Sequence, residues 1–599
     1  MKSLRALGLY ATLTVVLTWP FAANLRVMDA GDSAFFAWEI GWTIHALQTD
    51  PVSLPHANIF HPLRYTLGMD EPVFGTTLLV LPLALFTNDA VLLYNVVRLL
   101  TFLFSALTAY WLARELGAGE WAALLGGALF AFSPIRTDQV AHLSTLGTQW
   151  LPLVLLFAVR FSRSGRARDV LLSALFFVLT FAACGYHGVF ALAVLPPAFL
   201  VLLWGRWRLL PKAVLATALA GLTLLPLYLM HKKGLEPEHY TRGTEETIQY
   251  SAPLEAFLAT SSWNWMYGEI TDFTRTTSSN NLFPGLVVPG LALAGAVVLW
   301  RRRERPSREA VALATMALVA ALVALGPQIR AFGHDLVPGP WGLLRDTVPV
   351  FQMIRVTSRA GALFALPLAM LAALGLSVLR PRPIVVALVA ALGLAETLIV
   401  PIPMPSWSKV IDTRLEPPPV YRWLAEQPGR DVIVHLPMFD VYSLERRPAS
   451  HESIYMVYST LHWKPMVNGY AGIEPSGYVR IREQMMSFPS EEFLGLLRDV
   501  DVRYIVVHRG GYGPHQWARL QERLPEALGR SLKEVVVLEG DTVYELLPAP
   551  AAHLLPGDDP AEKRNQSLPR TSCLRRRAAV PTSCELGRDG GHDNIDRCV

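Results

Sequence analysis

Apolar residues gather in long blocks through the first two thirds of the chain and thin out after residue 401. Eleven blocks read as membrane-spanning helices: 7–25, 90–113, 121–133, 146–161, 170–184, 187–204, 213–230, 282–300, 310–325, 360–379 and 384–401. Several are shorter than the roughly 20 residues that crossing a bilayer as a helix requires. The first block follows Lys2 and Arg5, contains Trp19-Pro20 and lacks a small-residue cleavage pattern, so it reads as a signal anchor. The stretch 72–86 is apolar but short, and Pro72, Gly75 and Pro82 interrupt it. Runs of that kind are re-entrant or interfacial. Beyond a Pro-rich linker at 417–419 the pattern becomes that of a soluble α/β fold. There, 432–436 and 504–508 read as buried strands, and 534–547 reads as a hairpin turning at Gly540-Asp541.

Charge placement orients these elements. With the N-terminus inside, the inner loops carry Arg114, then Arg163, Arg166 and Arg168, then Arg206, Arg208 and Lys212, then five Arg between 301 and 308, then Arg380 and Arg382. Every inner loop is basic, as positive-inside topology requires. The parity holds only if 72–86 does not cross, which leaves 26–89 as one large outer loop. The expected fold is therefore an α-helical polytopic membrane protein of about eleven transmembrane helices with a C-terminal extracytoplasmic α/β domain. The divisions are a transmembrane domain at 1–401, the outer domain at 402–547, and a disordered tail at 548–599 without periodicity.

Composition narrows the function. Hydrophobic residues make up 52% of the chain and charged residues 17%, against about 25% charged in soluble domains. A soluble enzyme and a disordered chain are both excluded. The net charge of +4 comes without a concentrated basic face, so nucleic acid is not an expected partner. The four Cys form neither a disulfide framework nor a zinc spacing.

Candidate chemistry sits in the outer loops. The first opens with Asp29-Ala-Gly-Asp32-Ser33 and continues into 34–47, which is rich in Phe and Trp and reads as an interfacial helix. A carboxylate held there can act as a general base; an N-cap at Asp32 or Ser33 would also explain it. Asp70-Glu71 closes the loop, as a metal carboxylate pair or a loop end. The next outer loop holds Asp138 and His142, four residues apart, and His187 lies near an outer helix end. These are cavity candidates, with a polar turn and a helix cap as the bland alternatives. The loop 326–359 carries Arg330, Arg345, Arg355 and Arg359 against the positive-inside trend. On a helix, Arg355 and Arg359 would share one face, and their guanidinium forks suit phosphate; lipid-headgroup snorkelling is the alternative.

Three further motifs stand out: Asn58-Ile-Phe-His-Pro62, Phe351-Gln-Met-Ile-Arg355-Val-Thr-Ser-Arg359, and His462-Trp-Lys-Pro-Met-Val-Asn-Gly-Tyr470. Together with Gly31-Asp32-Ser33 and the layout of 1–401, they resemble the GT-C membrane glycosyltransferases, and more narrowly a set of uncharacterised bacterial GT-C-like membrane proteins. The chain departs from the Asp-Glu or Asp-Asp pair usual in that group, because Ser33 follows Asp32. The resemblance implies transfer of a sugar from a polyprenyl-phosphate donor to an extracytoplasmic acceptor hydroxyl of a lipid, glycan or protein, at the bacterial inner membrane. It implies Asp32 as catalytic base, with Arg355 and Arg359 on the donor phosphate. Asp29, Glu71, Asp138, His142 and His187 would line the cavity. A divalent metal ion is the one cofactor it raises. A transporter of lipid-linked glycans and an inactive assembly factor are the alternatives. Transporters bury charges near the midplane of interrupted helices, whereas here ionisable residues cluster in outer loops.

Overall fold

The computed structural model describes residues 2–236, 243–268, 281–399, 410–439 and 450–549. The tail beyond Ala549 lies outside the described residues. The first helix, α1 (Lys2–Leu17), leads into a short strand, β1 (Val27–Asp29). The outer loop then holds α2 (Asp32–Thr49) and two one-turn helices, α3 (Phe74–Thr77) and α4 (Leu81–Ala84). The helical body continues with α5 (Ala90–Glu115) and α6 (Glu120–Ala131), the single turns α7 (Pro134–Thr137) and α8 (Leu143–Leu146), then α9 (Leu151–Ser164), α10 (Ala167–Ala183), α11 (Gly185–Leu202) and α12 (Leu210–Leu235). After α13 (Thr244–Gln249) come α14 (Val287–Arg301), α15 (Arg308–Ala324), α16 (Pro340–Thr347), α17 (Gly361–Leu379) and α18 (Pro383–Glu396).

Each of the eleven apolar blocks holds a helix. Among the described residues, five stretches are long and apolar enough to cross a membrane: Ala90–Glu115, Leu143–Ser164, Gly185–Leu202, Trp207–Leu235 and Thr357–Leu379. The others are shorter. In α6 the 12-residue helix runs between Gly119 and Phe132, and Gly126 and Gly127 let α17 and α1 approach closely. An added Cβ at Gly127 would lie 2.3 Å from the Tyr10 hydroxyl.

One expectation for the outer loop is corrected. The helix α2 does not lie with one face on the bilayer: Phe35, Phe36, Trp38, Ile40, Trp42 and Ile44 are all buried. A helix apolar on every side is a core helix. Its partners are α5 and a distant helix, α20 (Ser450–Ser459), reached at Gly41, where a Cβ would lie 3.2 Å from that of Ala90 and 3.5 Å from Thr460. The stretch 72–86 makes two separate turns, α3 and α4, neither of them long enough to cross. Gly75 is wedged against α10, with Leu179 O only 2.3 Å from where its Cβ would stand.

After α19 (Pro419–Glu426), a four-stranded sheet forms the last part of the described chain. Two small antiparallel pairs precede or flank it: β2 (Gln328–Ala331) with β3 (His334–Pro338), and β1 with β4 (Val410–Asp412). The sheet runs in the order β5 (Val432–Leu436), β6 (Val502–His508), β8 (Asp541–Leu546) and β7 (Leu532–Leu538). Strands β5 and β6 are parallel and the other neighbours antiparallel. The β7–β8 turn is Glu539-Gly540, both at positive φ (48° and 97°), one residue earlier than the pattern suggests. That is the backbone a two-residue hairpin loop requires. Residues of this sheet share one hydrophobic cluster with α2, 57–69 and the start of α5.

Candidate functional site

The site starts from a glycine. Gly31 precedes α2 at φ 90° and ψ −140°, a conformation open to glycine and strained for other residues. Its N–H donates to Ser453 Oγ at 2.7 Å. This places Asp32 in the first turn of α2, where the helix dipole favours a negative charge. Gly31, not Asp32 or Ser33, occupies the N-cap, and no side chain caps there. The capping explanation of Asp32 therefore fails.

Both Asp32 oxygens are engaged. His142 Nε2 lies 2.9 Å from Oδ2, and the Tyr470 hydroxyl donates to Oδ1 at 2.5 Å. The two side chains still keep solvent access, 38% for Asp32 and 27% for His142. Burial acts to raise the Asp32 pKa. The hydrogen bonds from His142 and Tyr470, with the charge of Arg359, outweigh it and hold the carboxyl well below the usual range.

Arg359 joins a second carboxylate to this one. It acts electrostatically on both Asp32 and Glu71, and its guanidinium sits 5.0 Å above the Tyr186 ring. Its buried Nε has no hydrogen-bond partner among the described residues. Glu71 Oε2 receives the Tyr186 N–H at 3.4 Å and lies 3.6 Å from Cys184 Sγ. Burial pushes Glu71 up to about 7, against the pull of Arg359. Asp70 is fixed beside it, accepting from Glu71 N at 2.7 Å and from Gly472 N at 2.8 Å.

The second outer loop arrives through α7 and α8. Asp138 accepts from Asn281 Nδ2 at 2.9 Å, and burial pushes it up to about 6, with His142 acting against that. His187 is fully buried in α11, within electrostatic reach of Arg359 and Arg136. Asp29 lies on β1 opposite Val410 and, like Asp32, within electrostatic reach of Tyr94.

The shared helix face expected for Arg355 and Arg359 is not formed. Pro349 opens a 3-10 turn that ends at Met353, Ile354 is extended, and a second 3-10 turn covers Thr357–Ala360. Arg355 leans away, 3.6 Å from Glu246 Oε1 and 5.1 Å above the Tyr250 ring. Only Arg359 faces the carboxylates. Among the described residues no group of three or more His, Cys, Asp or Glu is placed to hold a metal ion.

Sequence reasoning missed two participants. Glu39, on α2, is buried and accepts from Val73 N at 2.6 Å; burial and the charges of Asp70 and Glu71 push its pKa well up. Its placement inside an apolar helix, seven residues after Asp32, was the available signal. Tyr470 lies 438 residues from Asp32 in sequence, and only its motif marked it. The run His451-Glu452-Ser453 is no triad: Ser453 holds Gly31, and Glu452 accepts from Phe439 N and Asn468 Nδ2.

The raised Glu71 pKa has a stability consequence. A carboxyl whose folded pKa is raised favours the folded state most at low pH. That contribution fades as pH climbs from the ordinary 4.5 through about 7. Glu71→Gln, which cannot ionise, should flatten this decline, so the variant gains thermal midpoint over wild type above pH 7 and not at pH 4.5. Parallel slopes for the two proteins would show that Glu71 ionises freely.

Two solved structures of the arabinofuranosyltransferase AftD from Mycobacteria, R1389S mutant, superpose on this chain with TM-scores of 0.54 and 0.53 at 15% and 16% identity. Each covers 90% of this chain, which spans 41% of the AftD chain. ArnT from Cupriavidus metallidurans in the apo state matches at 11% identity and TM-score 0.37, over 90% of this chain and 97% of ArnT. No curated protein matches the chain. The fold is that of the GT-C membrane glycosyltransferases. At the level of sequence, the match of residues 57–396, more than half of the length, shows that the chain belongs to the family described as Domain of unknown function (DUF6311).

Proposed function

We propose that this protein is an integral-membrane glycosyltransferase that moves a sugar from a polyprenyl-phosphate donor to an acceptor hydroxyl at the outer face of the membrane. The observation that carries the reading is Asp32, anionic and in contact with His142 and Tyr470, with Arg359 beside it. Asp32 takes the proton of the acceptor hydroxyl. The hydroxyl oxygen bonds to the anomeric carbon, and the bond from that carbon to the phosphate oxygen breaks. The lipid phosphate leaves with the electron pair, and Arg359 meets the negative charge it gains.

The orientation follows the Arg pattern: eleven crossings, the N-terminus inside, the first loop and the sheet outside. Exposed Trp121, Trp204, Trp207 and Trp300 stand beside the basic loops, where an aromatic belt belongs. The four-stranded region at 402–547 is then the extracytoplasmic domain, and its shared core with the first loop makes it part of the site rather than an appendage.

Purified full-length protein in lipid vesicles, given polyprenyl phosphates loaded with labelled pentoses or hexoses, tests this. Arabinofuranose heads the panel because AftD is an arabinofuranosyltransferase. The expected result is acceptor-dependent release of polyprenyl phosphate from one donor. Turnover of none, together with no binding of bare polyprenyl phosphate, would overturn the reading.

A further inference from the structure

The motif at 462–470 takes no direct part in the transfer step, yet its backbone is hydrogen-bonded on both sides. Residues 464–469 run as an extended segment between the Asn58–Pro62 motif and β5. Met466 N donates to Asn58 O at 2.9 Å, His61 N to Met466 O at 3.0 Å and Phe60 N to Asn468 O at 3.1 Å. On the other side Ile433 N donates to Pro465 O at 2.9 Å and Val467 N to Ile433 O at 3.0 Å. Asn468 clasps both backbone groups of His435, accepting from its N at 2.7 Å and donating to its O at 3.0 Å. Gly469 has no Cβ because the Phe60 ring stands 2.7 Å from where it would be.

Three clasps leave this region and end on the acidic corner of the site. Tyr470 holds Asp32 Oδ1, the Gly472 N–H holds Asp70 Oδ2, and Ser453 Oγ holds the Gly31 N–H next to Asp32. The Tyr470 ring is steadied 6.0 Å from that of Phe35. We infer that Tyr470 is a positioning residue that aims the Asp32 carboxylate, with the extended 464–469 segment before it as the wall that holds it. This rests on the transferase reading above. A carboxylate turns freely about its last bond unless donors fix both oxygens, and a misaimed base loses rate without losing donor. Without Tyr470, Asp32 Oδ1 is released while His142 still holds Oδ2.

The test is Tyr470→Phe in the full-length protein in vesicles, with the donor that wild type turns over. It removes one oxygen and keeps the ring on Phe35. The expected result is a kcat lowered roughly ten- to hundredfold, the worth of one charge-assisted hydrogen bond, with donor KM within about twofold and the thermal midpoint within a few degrees. Ser453→Ala, which loosens the backbone before Asp32, should lower kcat by less and carries the test should Tyr470→Phe misfold. Unchanged kcat, or a kcat that falls only in step with KM and the thermal midpoint, overturns the inference. Asp32→Asn runs in parallel. If it is inactive while Tyr470→Phe turns over normally, only the positioning role fails. If Asp32→Asn is fully active, Asp32 is not the base and there is nothing for Tyr470 to aim; if wild type itself turns over no donor, the transferase reading fails.

Discussion

Asp32→Asn should insert, fold and hold donor as wild type does, and transfer sugar about 10²–10⁴-fold more slowly, the usual loss when a general base is removed. Asn keeps the size of Asp and can keep both partners. Its Oδ1 accepts from the Tyr470 hydroxyl, and its Nδ2 takes the place of the oxygen that met His142 Nε2. What disappears is the negative charge and the site for the proton. The lost charge at the start of α2 costs about 0.3–1 kcal/mol, too little to unfold the chain. Asp32→Ala differs, because it leaves two polar partners unpaired at about 1–3 kcal/mol for each that stays buried, and its thermal midpoint should fall. Since Asp32 stays anionic across the working range, it adds no acid limb to the rate near neutrality. A limb near pH 7 belongs to Glu71, which is pushed up to about 7. Wild-type transfer by purified Asp32→Asn would make the carboxylate a mere link between α2, His142 and Tyr470. The base would then be sought at Glu71 or Asp138, or at Asp29.

The helices were legible because a bilayer imposes one simple demand, a long uncharged run, and all eleven runs hold a helix. Strand β5 matches its expected ends, and β6 extends its run by two residues. The Asp32–His142 pair combined two candidates that the sequence placed in separate loops. What was not legible depends on partners far away in the chain. The aromatic face of α2 reads equally well as facing lipid or protein, and only the docking of Ser450–Ser459 decides it. The four-residue spacing of Arg355 and Arg359 presupposes a helix. Ile354 and Val356, β-branched and poor helix formers, stand between two short 3-10 turns instead, and the β-branched Thr357 opens the second. Tyr470 was marked by its motif but not by its role, since nothing local says which carboxylate a hydroxyl will meet.

That broken helix separates the two arginines experimentally. Arg359→Gln should weaken binding of bare polyprenyl phosphate roughly ten- to hundredfold, since a hydrogen bond to a charged group contributes about 1.5–3 kcal/mol. Arg355→Gln should leave it within about twofold, because Arg355 is turned to Glu246 and Tyr250. Arg359→Lys should recover part of the loss, as a point charge replaces a fork that can grip two phosphate oxygens. The Tyr186 ring under the guanidinium adds to this, because a planar cation stacks where an ammonium does not. Binding to vesicles that hold polyprenyl phosphate, titrated for each variant, reads out all three. Equal loss for Arg355→Gln and Arg359→Gln would mean that the phosphate spans both and that Glu246 gives way to it. No loss for either would leave Arg359 as a counter-ion for Asp32 and Glu71 alone, and its unpaired Nε without a ligand. The stacking on Tyr186 and the two carboxylates argue against that last outcome. The ring sets the plane of the guanidinium and the Nε has no partner among the described residues, so a bound phosphate would meet a cation already oriented, and that is what the titration of Arg359→Gln measures.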